Sequence, residues 1–149
     1  MPEKQELRLN KDEFVEFRTL IDNIEIRDVI TVKQAFEANR KQKVTGFVQV
    51  NIESAPAEIN IEEQLTVLKS YRIVVKQGKK NVLVFSATYE VSFDAKNAEK
   101  VNSILEKENI RQFFEGLQLS KILWPFIREE FRTASSKAGM KPFTLPFMK

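Results

Sequence analysis

Residues 65–93, LTVLKSYRIVVKQGKKNVLVFSATYEVSF, decide the fold of this chain. The segment predicts two long strands, at about Leu65–Gln77 and about Asn81–Phe93, joined by a hairpin. Gly78 and the two lysines after it predict the tight turn, because glycine readily adopts positive φ. One parity of the second strand is apolar throughout: Leu83, Phe85, Ala87, Tyr89, Val91 and Phe93. An antiparallel sheet with one solvated face is the simplest interpretation.

The segment before this hairpin predicts two further strands. In the first, the apolar residues share one parity: Ile24, Ile26, Ile30, Val32 and Phe36. After a polar break at Arg40–Lys43 the alternation resumes and runs to Ile52, with Phe47 as a large apolar residue on the polar parity. Pro56 ends this strand because proline lacks the N–H of a sheet ladder. Residues 58–64 are expected to form a connecting loop or a single turn.

Helices are predicted before and after the sheet. Asn10 with Glu13 three residues later resembles a capping box, and apolar residues follow at helical spacing, so an amphipathic helix is expected at about Lys11–Asn23. After the sheet, capping residues and helical spacing predict further helices, which Gly139 ends. Pro125 lies inside this pattern, so either a kink or a fresh helix start at Phe126 is expected.

Together these patterns predict an α+β fold, in which a four-stranded antiparallel sheet carries an N-terminal helix and C-terminal helices packed on one face. One domain is expected over residues 1–149. It comprises an N-terminal extension and helix in residues 1–23, the sheet in residues 24–94, and helices with an apolar tail in residues 95–149. A chain of this length can bury roughly two thirds of its unfolded surface without disulfides or metal ions.

The composition excludes most catalytic sites. The chain has no cysteine and no histidine, so thiol nucleophiles, Ser-His triads and Cys/His metal sites are impossible. Adjacent carboxylates occur at Asp12-Glu13, Glu62-Glu63 and Glu129-Glu130, but neighbouring side chains diverge and rarely form an acid–base dyad. Glu129-Glu130 is expected to be a solvated helix face. With no glycine-rich phosphate loop either, we expect no enzyme, no metal and no cofactor.

The charge pattern argues against nucleic acid as a partner. The net charge is +3, but the excess of bases lies in Arg132–Lys149, and the other lysines and arginines are interspersed with acids. Residues 1–10 lack the apolar core of a secretory signal, and no apolar run approaches the length of a membrane span. A cytoplasmic protein without membrane insertion is expected.

The C-terminal part of the chain carries a motif of defined order. An apolar-apolar-Pro-aromatic-x-Arg-Glu segment enters a helix and is followed by glycine, proline and a short apolar stretch. The residues are Leu123, Pro125, Phe126, Arg128 and Glu129, then Gly139, Pro142 and Leu145. With four strands before the helices, this motif resembles the SecB family of protein-export chaperones. The resemblance in fold spans about residues 24–149, and the close match is confined to residues 123–149.

The resemblance implies a chaperone that holds unfolded or pre-export polypeptides in long apolar grooves without ATP, and that assembles as a homo-dimer or as a tetramer formed by two dimers. Such a protein needs exposed apolar surface and no catalytic group. The candidate client-binding residues are Phe143, Leu145, Phe147, Met148, Met140 and Phe47. The residues expected in the core or in a subunit interface are Phe126, Ile127, Phe131 and Trp124.

Two narrower partners also follow from the resemblance. Members of the family dock to the translocase motor SecA through carboxylates on the outer face of the sheet. Asp28 lies where one such carboxylate would fall, whereas Val32 occupies the place of the expected glutamate. The resemblance therefore favours polypeptide holding over delivery to SecA. The alternative is a dedicated chaperone or adaptor for one partner, such as an antitoxin, because the family includes such members.

Overall fold

The structure is a computed structural model and describes residues 8–39, 47–62 and 64–139. Its elements, in chain order, are α1 (Lys11–Asn23), β1 (Ile24–Ala38), β2 (Gln49–Ser54), β3 (Glu58–Ile61), β4 (Gln64–Gln77), β5 (Lys80–Ala95), α2 (Ala98–Leu105), α3 (Glu108–Phe113) and α4 (Ser120–Lys137). A π-helical turn, Phe114–Leu119, joins α3 to α4. The predicted α+β class is confirmed.

The five strands form one antiparallel sheet in the order β1-β5-β4-β2, with β3 also paired to β4. β2 pairs with residues 71–76 of β4, and β3 pairs with residues 65–68. The two short strands therefore share one edge, and Pro56 lies in the break between them. The predicted loop or turn at residues 58–64 is wrong, because β4 is long enough to pair with a second short strand beyond this break.

The first helix is confirmed with its capping box. The Glu13 amide donates to Asn10 Oδ1 at 2.8 Å, and the Asn10 amide donates to Glu13 Oε1 at 3.1 Å. Phe17 is buried and meets Phe113 edge to face, with ring centroids 4.8 Å apart. A salt bridge between Lys107 and Glu16 joins α1 to the chain just before α3. α1 is thus packed against the other helices and extends the helical layer.

The core lies between the helices and the two central strands, β4 and β5. Phe131 of α4 meets Phe85 of β5 with ring centroids 5.8 Å apart, and Phe114 meets Phe93 at 5.9 Å. α4 continues through Pro125, so the predicted fresh start at Phe126 is wrong. None of the described helices combines the length and apolarity needed to span a membrane.

β1 departs from the pattern that the sequence predicted. Its register against β5 shifts at two irregularities, one after Ile26 and one after Thr31. Ile26 and Phe36 pair with core residues of β5 and therefore face the helical layer, whereas Ile30 pairs with Glu90 on the opposite face. The prediction of one buried apolar face for this strand is wrong, because an extra residue in a strand reverses the parity that follows.

Burial along α4 can be tested with two phenylalanines on the same helix. Phe131 is fully buried, whereas Phe126 is 42% exposed. We expect Phe131→Ala to lower the free energy of unfolding by about 3–5 kcal/mol, because it opens a cavity against Phe85. Phe126→Ala is the matched control and should change it by about 0.5 kcal/mol or less. Denaturant unfolding at equal protein concentrations measures both, and equal losses would contradict this packing.

Candidate functional site

Apolar side chains lie exposed along both edges of the sheet. In β1 the exposed fractions range from 41% to 49%, for Ile26, Ile30, Val32 and Phe36. In β2 they are 36% for Val50 and 43% for Ile52. The helical layer covers the central strands and leaves these edge strands bare. Exposed apolar side chains grouped along a strand can mark interaction sites in soluble proteins.

A groove of about 220 Å³ separates β1 from α4 on the helical side of the sheet. The residues that line it are Gln34, Phe36, Glu129, Glu130, Thr133, Ala134 and Lys137. We call it the β1–α4 groove. Phe36 supplies a large apolar side chain that is 41% exposed. Lys137 stands where α4 ends. The other lining residues are polar or charged apart from Ala134, so the groove combines one large apolar side chain with polar groups that can bond to a bound chain.

The apolar surface continues beyond the groove at its other end. Phe126, Glu130 and Lys137 recur at intervals of four and seven residues, so they lie along one face of α4. Phe126 therefore prolongs the α4 wall towards the start of the helix. On β1, Ile26 shares the helical face of the strand with Phe36. Phe36 and Ile26 of β1, separated on this face by residues that include Gln34 and Thr31, and Phe126 of α4 are thus exposed apolar residues beside the groove, and we call the three the exposed apolar strip.

Glu130 ties α4 to two strands beside the groove. One carboxylate oxygen accepts a hydrogen bond from the Thr31 hydroxyl at 2.5 Å, and the other accepts one from the Tyr89 hydroxyl at 2.5 Å. Tyr89 is fully buried, and burial together with the hydrogen bond to Glu130 raises the pKa of its phenol above the ordinary value. The solvated-pair interpretation is wrong for Glu130, because one helical step turns it from the solvent side, where Glu129 lies, towards the sheet.

At the opposite edge of the sheet, side chains hydrogen-bond to the backbone on both sides of Pro56. Lys69 Nζ donates to the Ala55 carbonyl oxygen at 2.6 Å, and the Ala57 amide donates to Glu115 Oε1 at 3.1 Å. Lys69 is 7% exposed, and burial lowers the pKa of its ammonium group, an effect that the nearby charge of Glu115 partly opposes. Proline offers no N–H to an added strand, so this edge is poorly suited to strand addition.

The outer edge of β1 has the opposite character. The strand is continuous over 15 residues, and no described strand pairs with its outer edge. Among the described residues, the backbone N–H and C=O groups on that side have no strand partner, and such an edge can pair with a strand of another chain. The two edges of the sheet differ in their capacity for backbone pairing.

The sequence-predicted client residues and the SecA candidate lie in different places. Phe47 precedes β2 and is fully exposed. Asp28 is exposed and pairs with Ser92, which places it on the face of β1 opposite the helices. The remaining client candidates lie outside the described residues: Met140, Phe143, Leu145, Phe147 and Met148.

The four aromatic and aliphatic candidates of α4 point in different directions. Ile127 and Phe131 are fully buried in the core, and Trp124 is half-buried against it. Phe126 is exposed, on the face of α4 that carries Glu130 and Lys137. Helical spacing does not distinguish the buried positions from the exposed ones, because a helix that packs on a sheet has one covered face and two partly exposed flanks.

Two parts of the candidate site were not predicted from the sequence: the exposed residues of β1 and the buried Lys69. The exposed residues of β1 look like core residues, because alternation reports which side chains share a face and not what covers that face. Lys69 did leave a signal, since it occupies the apolar parity of β4 between Val67 and Tyr71. A lysine at such a position predicts a buried ammonium with a specific partner.

The described residues offer contact surface rather than a cluster of reactive groups. Within residues 8–39, 47–62 and 64–139, no group of three or more Asp or Glu side chains is placed to hold a metal ion. The partly buried Glu130 and the buried Lys69 are both engaged in hydrogen bonds. The arrangement is suited to binding an apolar segment of another chain.

No model of a known protein family matches the chain, and no curated protein matches it. A solved structure of a protein of unknown function from Streptococcus agalactiae has a TM-score of 0.44 and 9% identity, over 83% of this chain and 97% of that chain. A SecB-like chaperone of Mycobacterium tuberculosis, solved in complex with a ChAD peptide from the HigA1 antitoxin, has a TM-score of 0.73 and 15% identity, over 92% of this chain and 99% of that chain. The latter similarity confirms a SecB-like fold.

The buried tyrosines predict a loss of stability at high pH. Burial raises the pKa of both Tyr71 and Tyr89 in the folded protein, so folding favours the neutral phenols. A pKa raised on folding stabilises the protein fully below the unfolded value of about 10, and this stabilisation is lost as the pH rises further. We expect the free energy of unfolding to fall above about pH 10, by up to roughly 1.4 kcal/mol per pH unit for each tyrosine.

The variant Tyr89→Phe measures how much of this loss of stability at high pH comes from Tyr89. The variant should lose stability less steeply above about pH 10 than the natural protein, as measured by denaturant unfolding at a series of pH values. Lys69 acts in the opposite direction because its pKa is lowered on folding, but it is present in both proteins and cancels in the comparison. Identical pH dependence in the two proteins would refute the role given to Tyr89.

Proposed function

We propose that the protein is a chaperone that holds unfolded polypeptides without ATP. The observation that carries the proposal is the exposed apolar strip from Phe36 to Ile26 and Phe126, beside the β1–α4 groove of a SecB-like fold. A holding chaperone lowers the concentration of free unfolded chain by covering its apolar segments, which requires surface and no reactive group. The proposal implies no enzymatic activity and no cofactor.

Extended client segments fit this surface best. In an extended chain alternate side chains point to one side, so every second residue of a client can enter the apolar strip. Glu129 and Thr133 at the groove margin can bond to the polar groups of the client backbone. Because backbone groups are common to all sequences, such contacts tolerate many clients. Phe47, fully exposed before β2, is a second proposed contact.

A dedicated chaperone for one partner is the second candidate. It is favoured by the Mycobacterium tuberculosis structure of the same fold, which contains a peptide from an antitoxin. Delivery to SecA is less well supported, because Asp28 is exposed on the outer sheet face but Val32 follows it where a carboxylate is expected. The cytoplasmic location stays a prediction.

We also propose that the protein forms a homo-oligomer through β1. Two copies of one edge strand pair antiparallel about a two-fold axis, which makes a self-complementary interface. The continuous outer edge of β1 supplies the backbone groups. Ile30 and Val32 supply exposed apolar side chains outside the β1–α4 groove.

Holding activity can be tested with two double variants. Ile26→Ser/Phe36→Ser should weaken the binding of unfolded clients by about tenfold or more, because two half-covered apolar contacts are together worth about 2–3 kcal/mol. Phe14→Ser/Val15→Ser removes two exposed apolar residues of α1 and is the matched control. Suppression of aggregation, followed by light scattering, measures the effect with several unrelated denatured proteins.

The outcomes separate the candidate functions. Protection of several unrelated clients, lost only in the β1 variant, supports general holding. Protection of none would refute general holding and favour the dedicated chaperone. Equal losses in both variants would refute the assignment of the surface to β1.

Assembly can be tested separately from holding. We expect the natural protein to elute as a dimer or tetramer in size-exclusion chromatography with light scattering. Ile30→Lys/Val32→Lys should shift it to a smaller species with an unchanged circular dichroism spectrum, because buried unpaired charges oppose association. A natural protein that is monomeric at all concentrations would exclude this assembly.

A further inference from the structure

The segment after α4 carries Phe143, Leu145 and Phe147 on one parity, and Met148 lies on the other. Residues 141, 143, 145, 147 and 149 read Lys-Phe-Leu-Phe-Lys, while prolines occupy positions 142 and 146 on the other parity. In an extended conformation, one side of such a segment presents three apolar groups between two lysines. The prolines disfavour a helix, so the pattern is that of an extended apolar ligand. The segment therefore has the features proposed above for a client.

α4 delivers this segment to one end of the β1–α4 groove. Lys137, the last residue of the helix, lines the groove. Two residues later, Gly139 has φ +75°, the left-handed conformation in which helices commonly end. The described chain therefore ends two residues beyond a residue that lines the groove.

The lengths of the segment and the groove agree. Residues 140–143 can span about 13 Å, whereas Gly139 lies only about 9 Å along the helix axis from the level of Thr133. Phe143 can therefore return to the level of Phe36. From there, the four residues to Phe147 cover about 13 Å, and α4 from Thr133 back to Phe126 rises about 10 Å. A segment running antiparallel to α4 can therefore reach from the level of Phe36 to the level of Phe126.

The charges of the segment and of the groove lining are complementary. Two carboxylates, Glu129 and Glu130, and one ammonium group, Lys137, line the groove, so its lining is acidic on balance. The segment contributes Lys141 and Lys149 and has no acidic side chain. Opposite charges at the margin fix the direction and register of a bound segment more than they add affinity.

We propose that residues 141–149 occupy the β1–α4 groove when no client is bound, and that clients bind by displacing them. The inference rests on the proposed function, because it makes a segment of the chain itself compete with clients for the same surface. Phe143, Leu145 and Phe147, which the sequence predicts as client contacts, take the place of the client instead.

Tethering makes this competition effective even for a weak contact. A segment joined to its site by a short linker has an effective concentration on the order of millimolar. An intrinsic affinity of about 1 mM therefore keeps the groove about half occupied. A half-occupied groove lowers the apparent affinity of a client about twofold, and a tenfold tighter contact of the segment lowers it about tenfold.

The full-length variant Phe143→Ser/Leu145→Ser/Phe147→Ser tests the inference directly. We expect it to bind a fluorescent unfolded model peptide about two- to tenfold more tightly than the natural protein does, because the competitor is gone. Direct client contact by these residues predicts the opposite sign. Phe14→Ser/Val15→Ser, which removes apolar surface from α1, should leave the affinity unchanged.

A synthetic peptide of residues 140–149 provides the second measurement. Added in trans, it should bind the triple variant and compete with the model peptide, and Phe36→Ser introduced into that variant should weaken it. A peptide with the same composition in scrambled order should bind at least several-fold more weakly.

Weaker or unchanged client binding by the triple variant overturns the inference, as does failure of the 140–149 peptide to bind it. Failure of the proposed function looks different. In that case no unfolded client binds either protein, while the 140–149 peptide still binds the triple variant in a Phe36-dependent manner.

Discussion

The helical layer of this protein is fixed to the centre of its sheet, and the other properties of the surface follow from that constraint. Phe131 packs on Phe85, and Glu130 accepts hydrogen bonds from Tyr89 and Thr31. These contacts hold α4 over β5 and stop it short of the outer part of β1. A sheet four strands wide that is covered only over its middle leaves apolar side chains exposed on both edge strands.

The two bare edges are not equivalent. At one edge, the side chains of Lys69 and Glu115 hydrogen-bond to the backbone on either side of Pro56. That edge therefore has no continuous row of backbone groups for pairing with an added strand. β1 is a single strand of 15 residues with two register shifts, and it carries the larger share of exposed apolar side chains. Natural proteins commonly interrupt or charge an exposed edge to prevent unwanted pairing. One edge of this sheet is interrupted at Pro56, and β1 at the other edge has two register shifts but no break.

The proposed client surface joins this free edge to the groove beside α4. Both carboxylate oxygens of Glu130 accept hydrogen bonds beside the exposed apolar groups. These bonds hold the shape of the groove and leave no unpaired charge on this partly buried residue. A surface fixed in this way has little conformational entropy to lose when a client binds. A competing segment of the same chain would cover it between clients and limit association of exposed apolar surface.

The sequence by itself determined the local parts of this molecule. The capping box of α1, the hairpin at Gly78 and the apolar parity of β5 depend on residues close together in the chain, and each lies in the structure as predicted. The SecB-like resemblance of residues 123–149 likewise identified the fold. Tertiary structure alone decided which apolar residues are covered. The register shifts in β1, the second short strand at Glu58–Ile61 and the turn of Glu130 towards Tyr89 all depend on elements far apart in sequence. Periodicity specifies which side chains share a face, and only the packed partner determines whether that face is core or binding surface.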